Sequence, residues 1–364
     1  MLPIPMIDLR TQYLSLKSEM DVAIQDCLLE TQFIGGKYVH SFEQNLAKHI
    51  NIKHCISCGN GTDALQIALM SLNLPKGSKI IVPAFTYIAP VEVIKFLGFE
   101  LVFADVDINT FNLTVENIKA VFTSDVKAII AVHLFGQLCE IDKIYAFTQQ
   151  NNIHLIEDNA QALGAEKNIS RNSIITTSFY PTKNLGAFGD GGAVFCNDDE
   201  LAKQIRKIAN HGQTEKYIHD IVGINSRLDA IQAAILQVKL PHLESYNQQR
   251  KNNADFYFNQ LKDVAEIELP AVTQPHIYHL YTIKVKNNFR DKLRAFLTKK
   301  KIDTIVNYPM PAHYQKAFLQ PDLHLPNAEY LCQGALSIPV YPEITEEQLL
   351  YICDSIKEFF TTNE

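Results

Sequence analysis

The sequence predicts an α/β protein. Its larger part is expected to be a three-layer αβα domain around a mostly parallel sheet, with a smaller α+β domain behind it. Three observations carry this. Short apolar runs alternate with segments of helical period through the first two thirds of the chain, which calls for crossover connections and parallel strands. Glycines and polar residues collect just after those runs, where open α/β sheets bind ligands. Beyond residue 240 the alternation stops. At 364 residues the chain is long enough for two domains, divided as 1–240 and 241–364.

The elements follow in order. TQYLSLKSEMDVAIQDCLLE repeats its apolar positions at three- and four-residue intervals, so residues 11–30 read as one amphipathic helix. FIGGKYVHSFEQNLAKHI supplies a glycine turn and a second helix. KHCISC is a strand, and GNGTDALQIALMSLNL a turn entering a helix with Thr62 or Asp63 as cap. KIIVPAF, LVFADVD, KAIIAVHLFG, IHLIED and SIITTSFY continue the strands. VEVIKFLG, DKIYAFTQQN and DDELAKQIRKIANHG give helices between and after them. The second domain starts with the polar helix LPHLESYNQQRKNNADFYFNQLKD. The strand HLYTIKVK, the basic helix RDKLRAFLTKKKI, the Pro-rich NYPMPAHY and the helix EEQLLYICDSIKEFF follow.

Composition narrows the function. A net charge of −7 disfavours non-specific nucleic-acid binding, so an anionic substrate must be met by local cations. No apolar run has the length of a membrane span, and the first residues lack a signal-peptide pattern. Seven scattered cysteines suit reduced thiols and a cytoplasmic setting. Cys55 and Cys58 form a CxxC without a second pair at zinc spacing; they are expected to be core thiols.

The chemistry centres on Lys183 in SFYPTKNLGAFGDGGAVF, 25 positions after Asp158 in HLIEDNAQALGA. Lys183 stands among small and apolar residues, where partial desolvation lowers an amine's basicity and suits it to imine formation. Asp158 follows a strand. A carboxylate there can keep a pyridine nitrogen protonated, while Glu157 points to the other face. Gly59, Gly61 and Thr62 open a helix after a strand and can cup a phosphate with backbone N–H groups. A reactive amine, a ring-nitrogen partner and a phosphate cup together match pyridoxal phosphate. Singly, each has an ordinary structural explanation: a surface lysine, a helix-capping acid, a glycine turn.

The chain resembles the DegT/DnrJ-type sugar aminotransferases, a branch of the fold-type I pyridoxal phosphate enzymes. The likeness runs from IDLRTQY through FIGGKYVHSFE, GNGTDAL, VPAFTYIA, EDNAQALGA, SFYPTKNLGAFGDGGA and GINSRLDAIQAAIL to NYPMPAH. The resemblance implies roles. Lys183 corresponds to the imine-forming lysine and Asp158 to the pyridine-nitrogen partner. Gln161, where many relatives carry His, corresponds to the residue near the phenolic oxygen. Tyr87 corresponds to the ring-stacking aromatic, and Gly61, Thr62 and Ser178 to the phosphate cup. Asn225 corresponds to a residue reaching a phosphate across a homodimer interface, which makes the active sites shared. Tyr308 and His313 resemble a segment near the substrate. Lys216 and Arg227 are candidates for the substrate's diphosphate, although Arg227 also suits a structural ion pair, and Lys299–Lys301 reads as a solvated helix end.

The implied reaction takes an amino group from L-glutamate and passes it to a keto sugar on a nucleoside diphosphate. The run around Lys183 is closest to relatives acting at carbon 3, so a dTDP-3-keto-6-deoxyhexose is expected first. A UDP-linked 3-keto sugar comes second and a 4-keto sugar third. Two other readings compete. Gly59, Gly61 and Ala64 fit a dinucleotide fingerprint, but the next strand ends in VPAFTY without the acid that fingerprint needs. A non-catalytic sugar-nucleotide binder would have no use for an imine-forming lysine.

Overall fold

In the computed structural model, which describes residues 3–362, a seven-stranded sheet forms the middle layer of the larger part. Its strands are β1 (His54–Cys58), β2 (Lys79–Pro83), β3 (Glu100–Ala104), β4 (Val126–Val132), β5 (His154–Asp158), β6 (Ile174–Ser178) and β7 (Gly192–Cys196). They lie in the order β1-β7-β6-β5-β4-β2-β3. All pairings are parallel except those of β7, which runs against both β1 and β6. The carboxyl ends of six strands and the amino end of β7 therefore share one edge of the sheet.

The strands are apolar along their length because helices cover both faces. One face buries Ile80, Val82, Ile130 and Ile156 beneath helices that include Gly61–Ser71 and Ala89–Phe96. The other buries Ile81, Ile129 and Leu155 beneath Val115–Val121 and Ile141–Asn151. Glu157, one residue before Asp158, points to that far side. It is buried and accepts from Arg171 Nε and Nη2 at 2.7 Å each, with His133 Nε2 at 3.1 Å.

Two hairpin strands, β8 (Gln213–Glu215) and β9 (Ile218–His219), follow the sheet. Then β10 (Ile267–Glu268), β11 (Tyr281–Val285) and β12 (Ala335–Ile338) form an antiparallel sheet. The helices Leu243–Leu261, Arg290–Lys299 and Glu346–Thr362 cover it with a separate apolar cluster around Tyr257, Ile283, Leu297 and Ile356. Residues 312–335 also feed the first core, through Ala312, Leu325, Ala328 and Leu331.

Three local expectations change. The helix expected over 11–30 is two helices, Leu9–Ser15 and Lys17–Glu30, because Leu16 leaves helical geometry (φ −113°, ψ 11°) and turns into the core. The cap of Gly61–Ser71 is Asn60, whose Oδ1 accepts the Asp63 N–H at 2.8 Å, and not Thr62 or Asp63. The helix Val115–Val121 is not among the expected elements, although Thr114 and Asn117 close a reciprocal capping box there. All seven cysteines, Cys55 and Cys58 among them, are buried free thiols. Among the described residues no helix is long and apolar enough to cross a membrane, and no group of His, Cys, Asp and Glu could hold a metal.

Candidate active site

The shared sheet edge gathers most of the expected cofactor residues. Cys58 and Ser178 both stand opposite Gly192 in register. The turn after β1 crosses so close to β7 that a Cβ on Gly192 would lie 2.4 Å from Asn60 O. A Cβ on Gly61 would lie 2.7 Å from Ser178 Cβ. Glycine at these two positions is what lets the turn drop against the strand ends. The first N–H groups of the helix, Gly61 and Thr62, are left facing outward without intrahelical acceptors. Ser226 Oγ braces the turn, accepting from Gly59 N at 2.8 Å and donating to Asp63 at 2.6 Å. The result is a cradle of backbone donors beside the Ser178 hydroxyl, with the positive end of a helix behind it.

Asp158 ends β5. It is buried, and burial pushes its carboxyl above the usual range; the Ala160 N–H at 3.0 Å, Lys183 and His133 act against that push. A buried carboxylate with so little compensation is one that a bound cation would stabilise. Lys183 lies on the turn between β6 and β7, closed by Lys183 N–H to Tyr180 O and Ala187 N–H to Phe179 O, both 2.8 Å. Burial lowers its amine from 10.5 to about 8, against the opposing field of Asp158. The two groups thus sit within electrostatic reach, each softened by desolvation.

Gln161 Oε1 accepts the Phe135 N–H at 2.7 Å. Its amide N–H groups are left for the Tyr308 hydroxyl, whose acidity burial suppresses while Gln161 opposes that effect. Tyr308 packs on Phe85 and lies 6.4 Å, centre to centre, from the ring of Tyr87. Tyr87 is 57% exposed, presenting an open ring face at the end of the segment after β2. Asn159 Oδ1 and Thr86 Oγ1, neighbours in sequence of Asp158 and Tyr87, are buried without partners. These features fit pyridoxal phosphate: an amine of lowered basicity, an undercompensated acid, an open aromatic face and a phosphate cradle.

Four expected residues stand apart. His313 is fully enclosed, beside Phe103 and Tyr314 and 3.5 Å from Glu329, and does not face the Lys183 group. The cause is the docking of Ala312 N–H on Ala84 O at 2.8 Å, which turns the next side chain inward. Asn225 and Arg227 are exposed on the loop flanking Ser226. Arg227 has no acid within ion-pair distance among the described residues, contrary to the ion-pair alternative. Lys216 is exposed at the hairpin tip with its ammonium 5.3 Å over the Tyr217 ring. None of these three touches Lys183.

A buried polar group next to the lysine is not among the residues expected from the sequence. Asn184 Nδ2 donates to Asn247 Oδ1 at 2.7 Å, and its Oδ1 lies 3.0 Å from His279 Nδ1. Burial holds His279 well below its usual value, and the nearby Lys183 and Arg250 reinforce this. The repeated His and Tyr of PHIYHLY before β11 were the available signal.

Residues 15–357 match the DegT/DnrJ/EryC1/StrS aminotransferase family. The chain is 41% identical to a pleiotropic regulatory protein of Geobacillus stearothermophilus, covering 98% of both chains. It is 40% identical to UDP-2-acetamido-2-deoxy-3-oxo-D-glucuronate aminotransferase of Pseudomonas aeruginosa, over 97% of this chain and 99% of that one. It is 36% identical to dTDP-3-amino-3,6-dideoxy-alpha-D-galactopyranose transaminase of Aneurinibacillus thermoaerophilus, over 98% and 99%. In structure it is similar to S. venezuelae DesV in complex with a ketimine intermediate, with a TM-score of 0.95, 34% identity and 98% of both chains covered. NtdA from Bacillus subtilis with bound cofactor PMP gives a TM-score of 0.93 at 27% identity, over 99% and 86%. With residues 15–357 matched and a site that fits the cofactor in place, this chain belongs to the DegT/DnrJ/EryC1/StrS aminotransferases, enzymes that work with pyridoxal 5′-phosphate.

Proposed function

We propose that this enzyme transfers the amino group of L-glutamate to a 3-keto sugar carried on a nucleoside diphosphate. The observation that carries the reading is the pairing of Lys183 and Asp158 at one sheet edge beside an open phosphate cradle. Bound there, pyridoxal phosphate would supply an electron sink and carry the amino group between the two substrates. Gly61, Thr62 and Ser178 would hold its phosphate. Asp158 would keep the ring nitrogen protonated, which relieves the unpaired carboxylate at the same time. Tyr87 would cover one ring face, and Gln161 with Tyr308 would fix the opposite edge.

Lys183 would have two tasks: its amine would hold the cofactor, and as a free amine it would move the proton at the substrate carbon. A positioned general base contributes roughly 10²–10⁴-fold. An amine lowered to about 8 by burial is far more often neutral near physiological pH than an ordinary lysine, so it can accept that proton and give it back.

The sugar is read as a dTDP-linked 3-keto-6-deoxyhexose, supported by the run around Lys183 and by the 36%-identical dTDP-sugar relative. A UDP-linked 3-keto sugar is the second reading, favoured by the 40%-identical relative whose name gives a UDP-linked 3-oxo sugar. A non-catalytic regulator, which the name of the 41%-identical relative raises, leaves Lys183 and Asp158 unexplained. The carrier and ring position are tested by giving the holoenzyme glutamate with dTDP- and UDP-linked 3-keto and 4-keto sugars and weighing the products. Amination of the dTDP 3-keto sugar is expected. Turnover confined to 4-keto sugars would reject the proposal, and preference for the UDP sugar would select the second reading.

We also infer a homodimer with shared sites, which Asn225 would complete. Exposed apolar residues in the N-terminal segment and around the hairpin, among them Leu29, Phe33, Tyr217 and Val222, support it, since such groups on one chain mark association surfaces. The division near residue 240 is supported by the separate apolar cluster over the small sheet.

A further inference from the structure

Lys239 is a cation in an apolar place. It ends the helix Ala230–Lys239 and is 2% exposed. Its ammonium lies 4.8 Å over the ring of Phe188 and donates to Gly186 O at 2.7 Å. Among the described residues no carboxylate comes within ion-pair distance of it; burial lowers its amine to about 8, and the field of Glu343 opposes that only in part. Lysine is almost never fully buried without a paired carboxylate. An apolar side chain of similar length would avoid the desolvation of the charge. Stability alone therefore gives little reason for a lysine here, and what the residue does hold is one carbonyl.

That carbonyl belongs to the turn carrying Lys183. The turn is folded on itself so tightly that a Cβ on Gly186 would lie 2.3 Å from Pro181 O. The same helix grips the turn again two residues beyond Gly186, where Gln232 Oε1 accepts the Phe188 N–H at 2.8 Å. Asn184 is held from another side by Asn247. The lysine turn is thus clamped by polar side chains from the helices Ala230–Lys239 and Leu243–Leu261, one of them the Lys239 ammonium.

We propose that Lys239 is a positioning residue for the reaction: anchored on its helix, it fixes the Gly186 carbonyl and so holds the backbone of Lys183 in place while the Lys183 side chain is bound, released and bound again. Such a hold matters because Lys183 must return to one position after moving a proton, and a displacement of about 1 Å can cost roughly 10²-fold. The inference rests on Lys183 being the imine-forming lysine.

The test compares Lys239→Met, Lys239→Arg and Lys183→Ala as holoenzymes. Readouts are the glutamate half-reaction in single turnover, KM for glutamate, retention of cofactor and the thermal midpoint. Lys239→Met is expected to bind cofactor and keep KM within about threefold while kcat falls by roughly 10²-fold. Lys239→Arg, which can still donate to Gly186 O, is expected to recover most of the rate. Lys239→Gln, too short to reach that carbonyl, carries the same expectation as Met and replaces it if the Met variant does not fold. A folded Met or Gln variant with kcat within about twofold of the parent would overturn the proposal. So would a loss that vanishes once rates are expressed per folded site. Lys183→Ala separates the two claims: a visible band and turnover surviving in that variant would remove the reading of Lys183 itself.

Discussion

Lys183 and Asp158 are held in forms that water would not favour, and their titration follows from that. For the protein before cofactor is added, capture of pyridoxal phosphate needs the neutral amine. Its rate should rise with pH around a midpoint near 8, not near 10.5. Because the folded amine titrates below its unfolded value, the native state binds fewer protons in that window, and stability should increase with pH between about 8 and 10.5. Asp158 opposes the shift, so Asp158→Asn should move the capture midpoint lower still. The same substitution should lower kcat by roughly 10²–10³-fold, the size expected for loss of one preorganised electrostatic partner. Asp158 itself has a raised folded value, so its ionisation weakens the fold above the ordinary carboxylate range. The cofactor-free Asn variant should therefore melt no lower than the parent at neutral pH, as scanning calorimetry would show. A site that gives up stability to keep reactive groups unpaired behaves in this way.

At the scale of elements, the sheet edge is built by close approaches that side chains would prevent. Gly192→Ala places a Cβ 2.4 Å from Asn60 O. It should weaken cofactor affinity more than tenfold, about 1.4 kcal/mol, as fluorescence titration would measure. The Glu157–Arg171 pair makes a contrast one residue from Asp158. Arg171→Met leaves a buried carboxylate and should cost about 3–5 kcal/mol in urea unfolding without moving the capture midpoint. Most of this architecture was legible. Strand runs such as KIIVP and AIIAV, the glycine turn and the lysine run each carry a local pattern, and their order fixes which residues meet at the edge. Less was legible where the outcome depends on tertiary contacts. Leu16 breaks a helix whose periodicity continues through it, because packing overrides propensity. His313 was expected near the substrate, and the docking of Ala312 on Ala84 instead encloses it. His279 and Asn184 pair across nearly a hundred residues, a contact no local spacing encodes.

For the whole molecule, the proposed homodimer would bring Asn225 of a second chain to the phosphate end of each site. Light scattering should give twice the 41.2 kDa chain mass. Mixing Lys183→Ala with Asn225→Ala chains should restore part of the activity that each has lost, because one site of a mixed dimer then has both residues intact. A monomer at working concentration with full activity would remove the shared-site reading and leave the chemistry of Lys183 untouched.

The most direct measurement is the absorbance spectrum of the purified holoenzyme, taken first alone, then with L-glutamate, then with a dTDP-linked 3-keto-6-deoxyhexose. The account predicts a yellow band that moves to the near ultraviolet with glutamate, returns with the keto sugar, and is missing in Lys183→Ala. A protein that stays colourless with pyridoxal phosphate, or a band that glutamate leaves unchanged, would contradict it.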